Sequence, residues 1–145
     1  TSKKMRKYWA LWLVLLMFSV SCDRCKNQQL LPVLNFSYTI NINEPAFFDL
    51  TVVTGYLYYD AGNVKLIIYR NGLDEFTIYD ARSTYNPSDP CICSVSDDRA
   101  FIEDPCSDSK WLLSDGSIVN GPAAQSLLTY DYIFDSATGV LHFYN

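Results

Sequence analysis

Residues 104–123 run DPCSDSKWLLSDGSIVNGPA and hold three signals in succession. Asp104-Pro105-Cys106-Ser107-Asp108-Ser109 is a polar loop carrying a cysteine. Trp111 to Leu113 and Ile118-Val119 flank Ser114-Asp115-Gly116-Ser117, which predicts a tight β-hairpin. Gly121-Pro122-Ala123 then closes the stretch. Upstream lies a loop of the same character, STYNPSDPCIC at residues 83–93. Eighteen residues separate Tyr85 from Asp104, and Phe101-Ile102 between the two loops continues a strand pattern.

Further outward the chain reads as short strands and turns. From Asn35 the pattern alternates, with Phe36, Tyr38, Ile40 and Ile42 on one face and Ser37, Thr39 and Asn41 on the other, as a half-buried strand does. Glu44-Pro45 breaks it. Val52-Val53 and Tyr56 to Tyr59 form strand-like runs around Gly55. Val64 to Tyr69 is nearly continuous in apolar residues, which predicts the most buried strand. Asn71-Gly72 marks a turn, Phe76 to Tyr79 a strand, and Tyr130 to Phe134 with Val140 to Tyr144 a closing hairpin. No stretch after residue 22 has helical periodicity. Strands at this spacing predict an all-β fold, a small antiparallel sandwich or barrel, over residues 35–145.

Composition narrows the function classes. The 145 residues suit one domain, and 49% apolar residues are enough for a packed core. The formal charge of −5 argues against nucleic-acid binding. A single histidine, His142, rules out any site that needs two imidazoles. Its place in the last strand pattern predicts a solvent-facing side chain.

Residues 1–21 read as an export signal. Lys3, Lys4, Arg6 and Lys7 form a basic head, and Tyr8 to Val20 is an uncharged run too short for an ordinary transmembrane helix. The run ends Ser19-Val20-Ser21-Cys22, which resembles the lipobox of bacterial lipoproteins, although Ser19 stands where leucine is usual. The resemblance implies lipidation of Cys22, an anchor in a bacterial membrane, and a place in the cell envelope, at the periplasmic face or outer membrane. Multiple acyl chains would make that anchoring durable. Removing the signal takes four of the 11 basic residues and none of the 16 acidic ones, leaving seven against sixteen, or −9. Residues 22–34 read as a tether.

The two loops and their flanks resemble the Rieske iron–sulfur domain family. Pro105-Cys106-Ser107-Asp108-Ser109-Lys110-Trp111, Asp115-Gly116-Ser117 and Gly121-Pro122-Ala123 are similar to the family's second loop and the segment after it. Ile67-Ile68-Tyr69-Arg70, Phe76-Thr77, Tyr79 and Ala81 resemble the strand pair before the first loop. The likeness spans roughly residues 45–144 and implies a Rieske-like domain. The family holds a [2Fe–2S] cluster with two Cys and two His. The matching positions here are Ser83, Tyr85, Asp104 and Ser107. Oxygen donors suit an iron–sulfide core poorly, so the resemblance implies the fold and predicts that the cluster is absent. The family's high-potential members join their loops by a disulfide. That implies a bond from Cys106 to Cys91 or Cys93, which an exported compartment permits.

Other motifs are weak. No phosphate loop or calcium loop is present, and no nucleophile motif accompanies His142. Asp97-Asp98-Arg99 and Glu103-Asp104 read as solvated turns. Tyr56, Tyr58 and Tyr59 read as core and edge packing ahead of an aromatic binding surface. The expected function is a lipid-anchored, non-catalytic binding or structural module, with Ser83 to Cys93 and Asp104 to Ser109 as the surface for a protein partner. Two rivals are a Rieske-type electron carrier with altered ligation and an unrelated carbohydrate- or protein-binding β-sandwich lipoprotein.

Overall fold

Alternation of apolar and polar side chains builds two antiparallel sheets in the computed structural model, which describes residues 30–145. The signal segment, Cys22 and Cys25 lie outside the described residues. The first sheet has the order β1 (Ser37–Asn41), β10 (Val140–Tyr144), β9 (Thr129–Asp135), β4 (Phe76–Asp80), β3 (Lys65–Arg70), β2 (Tyr56–Asp60). The second has the order β5 (Ser94–Val95), β6 (Phe101–Glu103), β7 (Lys110–Leu112), β8 (Ile118–Asn120). It is inserted whole between β4 and β9, so both of its connections leave the larger sheet from neighbouring strands.

Each sheet has its own core. Ile40, Ile42, Leu66, Ile68, Ile78, Leu141 and Phe143 fill the larger one, together with Leu50 and Tyr130. Alternate residues of β3 and β4, Ile67, Tyr69 and Tyr79, point to the other face and pack with Cys93, Ile102, Trp111 and Leu113 in the second core. This explains the unbroken apolar run of β3: both faces are covered, and five of its six residues are buried. The β1 alternation emerges as read, with Ile40 and Ile42 buried and Ser37 and Thr39 outward.

One expected run is not a strand. Val52 and Val53 are exposed, and the preceding Pro45–Thr51 forms a 3₁₀ turn with proline at its start. Seven residues are too few to reveal helical periodicity. The hairpin at Ser114 to Ser117 closes through Gly116, whose φ is +72°, a conformation glycine adopts without cost. A Cβ there would lie 2.8 Å from the Tyr79 ring.

The described end of the segment read as a tether lies on the domain. Leu31 is buried, the Pro32 carbonyl accepts a hydrogen bond from Arg82 Nη2 at 3.0 Å, and the Leu34 carbonyl accepts one from Asn145.

Candidate functional site

The two loops meet because the strands that launch them belong to one core. β4 ends at Asp80, and the first loop's two arms then pair with each other. Ser83 N–H donates to the Cys91 carbonyl at 2.8 Å and Cys93 N–H to the Ala81 carbonyl at 2.6 Å, with a bridge between Arg82 and Ile92. β6 ends at Glu103. The second loop closes on itself through Asp104 N–H to the Ser109 carbonyl at 3.1 Å. A disulfide between Cys91 and Cys106 ties the loops, across a Cα separation of 6.2 Å. Cys93 is free and buried.

Asp104 is the centre of the junction. Its Oδ2 accepts hydrogen bonds from Ser83 Oγ at 2.6 Å and from Ser107 Oγ at 2.7 Å. Its Oδ1 accepts one from Cys106 N–H at 2.9 Å. Ser83 Oγ also accepts from Tyr85 N–H, and Ser107 Oγ contacts Ser109 Oγ at 2.9 Å. Ser109 Oγ in turn accepts from Ala123 N–H, which carries the network to the Gly121-Pro122-Ala123 segment. Ser83, Asp104 and Ser109 are 1%, 4% and 1% exposed.

The sequence predicts a solvated turn at Glu103-Asp104, and for Asp104 that expectation fails: its carboxylate is buried because two loop hydroxyls and a loop amide surround it. The loop ends are also less of a surface than expected. Ser83, Asp104 and Ser109 are internal, and solvent meets Tyr85, Ile92, Pro105, Cys106 and Asp108 instead. Of the four positions matched to cluster ligands, Ser83, Asp104 and Ser107 share one network, which Tyr85 joins only through its backbone N–H.

Burial pushes the Cys93 thiol up to about 12, with smaller contributions from the carboxylates of Asp104 and Asp80, against a hydrogen bond from Ser83. A thiol so held is a packing group rather than a nucleophile. Asp80, wholly buried, receives the Arg82 guanidinium and the Tyr130 hydroxyl, the latter at 2.7 Å. The sequence marks Ser109 only as part of the second loop, not as a member of this network, and does not single out the Asp80 group. His142 lies half-buried on the outer side of β10, contacting Thr39 Oγ1 at 2.9 Å and stacking on Tyr144. Tyr59 packs on the larger core, while Tyr58 reaches across to accept a hydrogen bond from Val95 N–H.

No family model matches the chain, and no curated protein matches it in sequence. Among solved structures it is similar to the plasma membrane Rieske protein of the cyanobacterium Synechocystis PCC 6803. That match has a TM-score of 0.54 and 17% identity over 72% of this chain and 97% of that one. A second similar structure is the ferredoxin of carbazole 1,9a-dioxygenase from Nocardioides aromaticivorans. Its TM-score is 0.45, with 12% identity over 63% of this chain and 86% of that one. The first comparison shows the fold: an all-β, Rieske-like domain. It does not extend to the ligands. A Rieske cluster takes two thiolates and two imidazoles. The positions matched to those ligands from the sequence, Ser83, Tyr85, Asp104 and Ser107, carry a phenol, two hydroxyls and a carboxylate, three of them hydrogen-bonded together, and Cys91 and Cys106 are bonded to each other. The residues present do not fit that cluster.

Proposed function

We propose that the chain is a lipid-anchored protein of the bacterial cell envelope whose Rieske-like domain binds no cluster and works as a non-catalytic binding or structural module. The observation that supports this reading is the Ser83–Asp104–Ser107 hydrogen-bond network, formed by three of the positions that the sequence resemblance matches to cluster ligands. Satisfied polar networks of this kind rigidify the parts they join, and the disulfide holds the same two loops. Together they do the clamping that a cluster would otherwise do. The outward groups at this end, Tyr85 at 49% exposure and Ile92 at 45%, offer a partner protein an aromatic and an aliphatic contact on a rigid base. Among the described residues no helix is long and apolar enough to cross a membrane. Anchoring is assigned to lipid on Cys22 from the likeness of Ser19-Val20-Ser21-Cys22 to a lipobox.

The deciding experiment is elemental iron, acid-labile sulfide and visible absorbance on protein made alongside a working cluster-assembly system. A colourless, iron-free protein is expected. Two irons and two sulfides per chain would sink the reading and favour electron transfer. Replacing Cys22 by Ala should release the protein from the membrane fraction.

A further inference from the structure

Asp104 is 4% exposed and, among the described residues, has no cationic partner. Burying a carboxylate against hydroxyls and an amide alone leaves its charge without a countercharge, an arrangement proteins rarely hold. Two sulfurs lie beside it: the carboxylate oxygen of Asp104 and the sulfurs of Cys91 and Cys106 are all within 4.8 Å of one another. In a four-coordinate zinc site with Zn–S near 2.3 Å and Zn–O near 2.0–2.2 Å, donors stand roughly 3.5–3.8 Å apart. Once the S–S bond opens, the two sulfurs have to part and the three atoms have to shift only locally to reach that spacing. The disulfide is the bond that closes the site, and that bond is reachable, because Cys106 is exposed and Cys91 half-buried. Cys93, buried beneath, is sheltered from the same reagents.

We propose that the Cys91–Cys106 disulfide caps a latent site for a thiophilic divalent cation such as Zn²⁺, uncovered when the bond is reduced. A dithiol reductant attacks one sulfur and forms a mixed disulfide; its second thiol then resolves that bond. The reductant leaves as its own disulfide, two electrons have passed to the protein, and Cys91 and Cys106 are free thiols. Zn²⁺ binding releases their two protons and leaves two thiolates and the Asp104 carboxylate as ligands, with water in the fourth position. Ser83 and Ser107 keep their hydrogen bonds to that carboxylate and orient it, as partners of a ligating group do. Exchange with an added disulfide re-forms the Cys91–Cys106 bond, that reagent taking the two electrons and leaving as thiols, and releases the metal. The site is distinct from a [2Fe–2S] cluster in both donors and metal, and it rests on the cluster-free reading.

The test titrates the intact chain with Co²⁺ and with Zn²⁺, before and after reduction by a phosphine, which leaves no competing thiol. One equivalent of Co²⁺ per reduced chain is expected, with a thiolate-to-cobalt absorption band that Zn²⁺ abolishes, and no binding to oxidised protein. Cys93→Ala should bind as the parent does. Asp104→Asn should weaken binding by more than about tenfold. Should that variant not fold, Cys106→Ser, altered at an exposed position, must lose binding in the reduced state. Equal binding by oxidised and reduced chains would overturn the proposal. So would no binding by the reduced parent, or binding that survives Cys106→Ser. Iron and sulfide in the purified protein would overturn the cluster-free reading instead, so the two failures are told apart.

Discussion

Two buried carboxylates lie within reach of one thiol, and they are held in opposite ways. Asp80 is wholly inaccessible and meets a guanidinium, Arg82, as well as the Tyr130 hydroxyl. Asp104 is nearly as buried and meets hydroxyls and one amide, with no cation among the described residues. The first is a charge-neutral joint that ties the end of β4 to β9 and to the start of the first loop. The second is a negative centre at the loop ends. The contrast separates framework from site: neutralisation marks the place where the fold is held, and the unbalanced charge marks the place where something could be added.

Four experiments break or sharpen that contrast. The largest effect is expected from Asp80→Asn, which leaves the Arg82 guanidinium without its anion, at a cost of about 3–5 kcal/mol. Urea unfolding with an unchanged slope is the measurement, and a loss under about 1 kcal/mol would deny the joint its role. Next comes the double replacement of Cys91 and Cys106 by serine. A bond closing 15 residues contributes about 3 kcal/mol in the chain-entropy model, and a melting temperature unaffected by reduction would contradict this. Asp104→Asn should cost less, about 2 kcal/mol, because the serine hydroxyls can turn to meet the amide. Were it to equal Asp80→Asn, the distinction between joint and site would vanish.

The smallest effect is in alkali. The Cys93 thiol titrates near 9.0 when unfolded and at about 12 when folded, raised by burial first and by Asp104 and Asp80 after it. The unfolded chain therefore releases a proton, from about pH 9 upward, that the folded chain keeps. Stability is full below about pH 9 and falls as pH rises towards 12, by roughly 1 kcal/mol at pH 10 relative to neutrality. The difference between the parent and Cys93→Ala isolates that contribution. Identical pH profiles for the two would refute it.

Much of the larger sheet can be read from residues alone. The alternation at Phe36 to Ile42, the doubly apolar run at Val64 to Tyr69 and the closing hairpin at Tyr130 to Tyr144 are local patterns, and local patterns survive folding when one sheet face is buried. The site is legible in its positions and not in its chemistry. The loops of Ser83 and Asp104 can be located, yet a Glu-Asp pair beside a proline looks solvated. Its burial depends on Ser83, 21 residues away. Arg70 is equally silent in the sequence: it is 9% exposed, giving its guanidinium hydrogens to the carbonyls of Leu50, Gly72 and Leu73 and stacking on Phe76 and Phe134. No neighbour along the chain announces that a cation will be sheltered by carbonyls. The Pro45–Thr51 turn escapes a sequence reading because a single short coil has no period to detect.

The grip of Arg82 on the Pro32 carbonyl has a mechanical consequence. A pull applied at the N-terminal side of Leu31 does not reach β1 alone. It is shared with the guanidinium, which passes it to Asp80 at the end of β4, just before the first loop begins. A load entering at Leu31 is therefore divided between β1 and the end of β4, where the first loop begins.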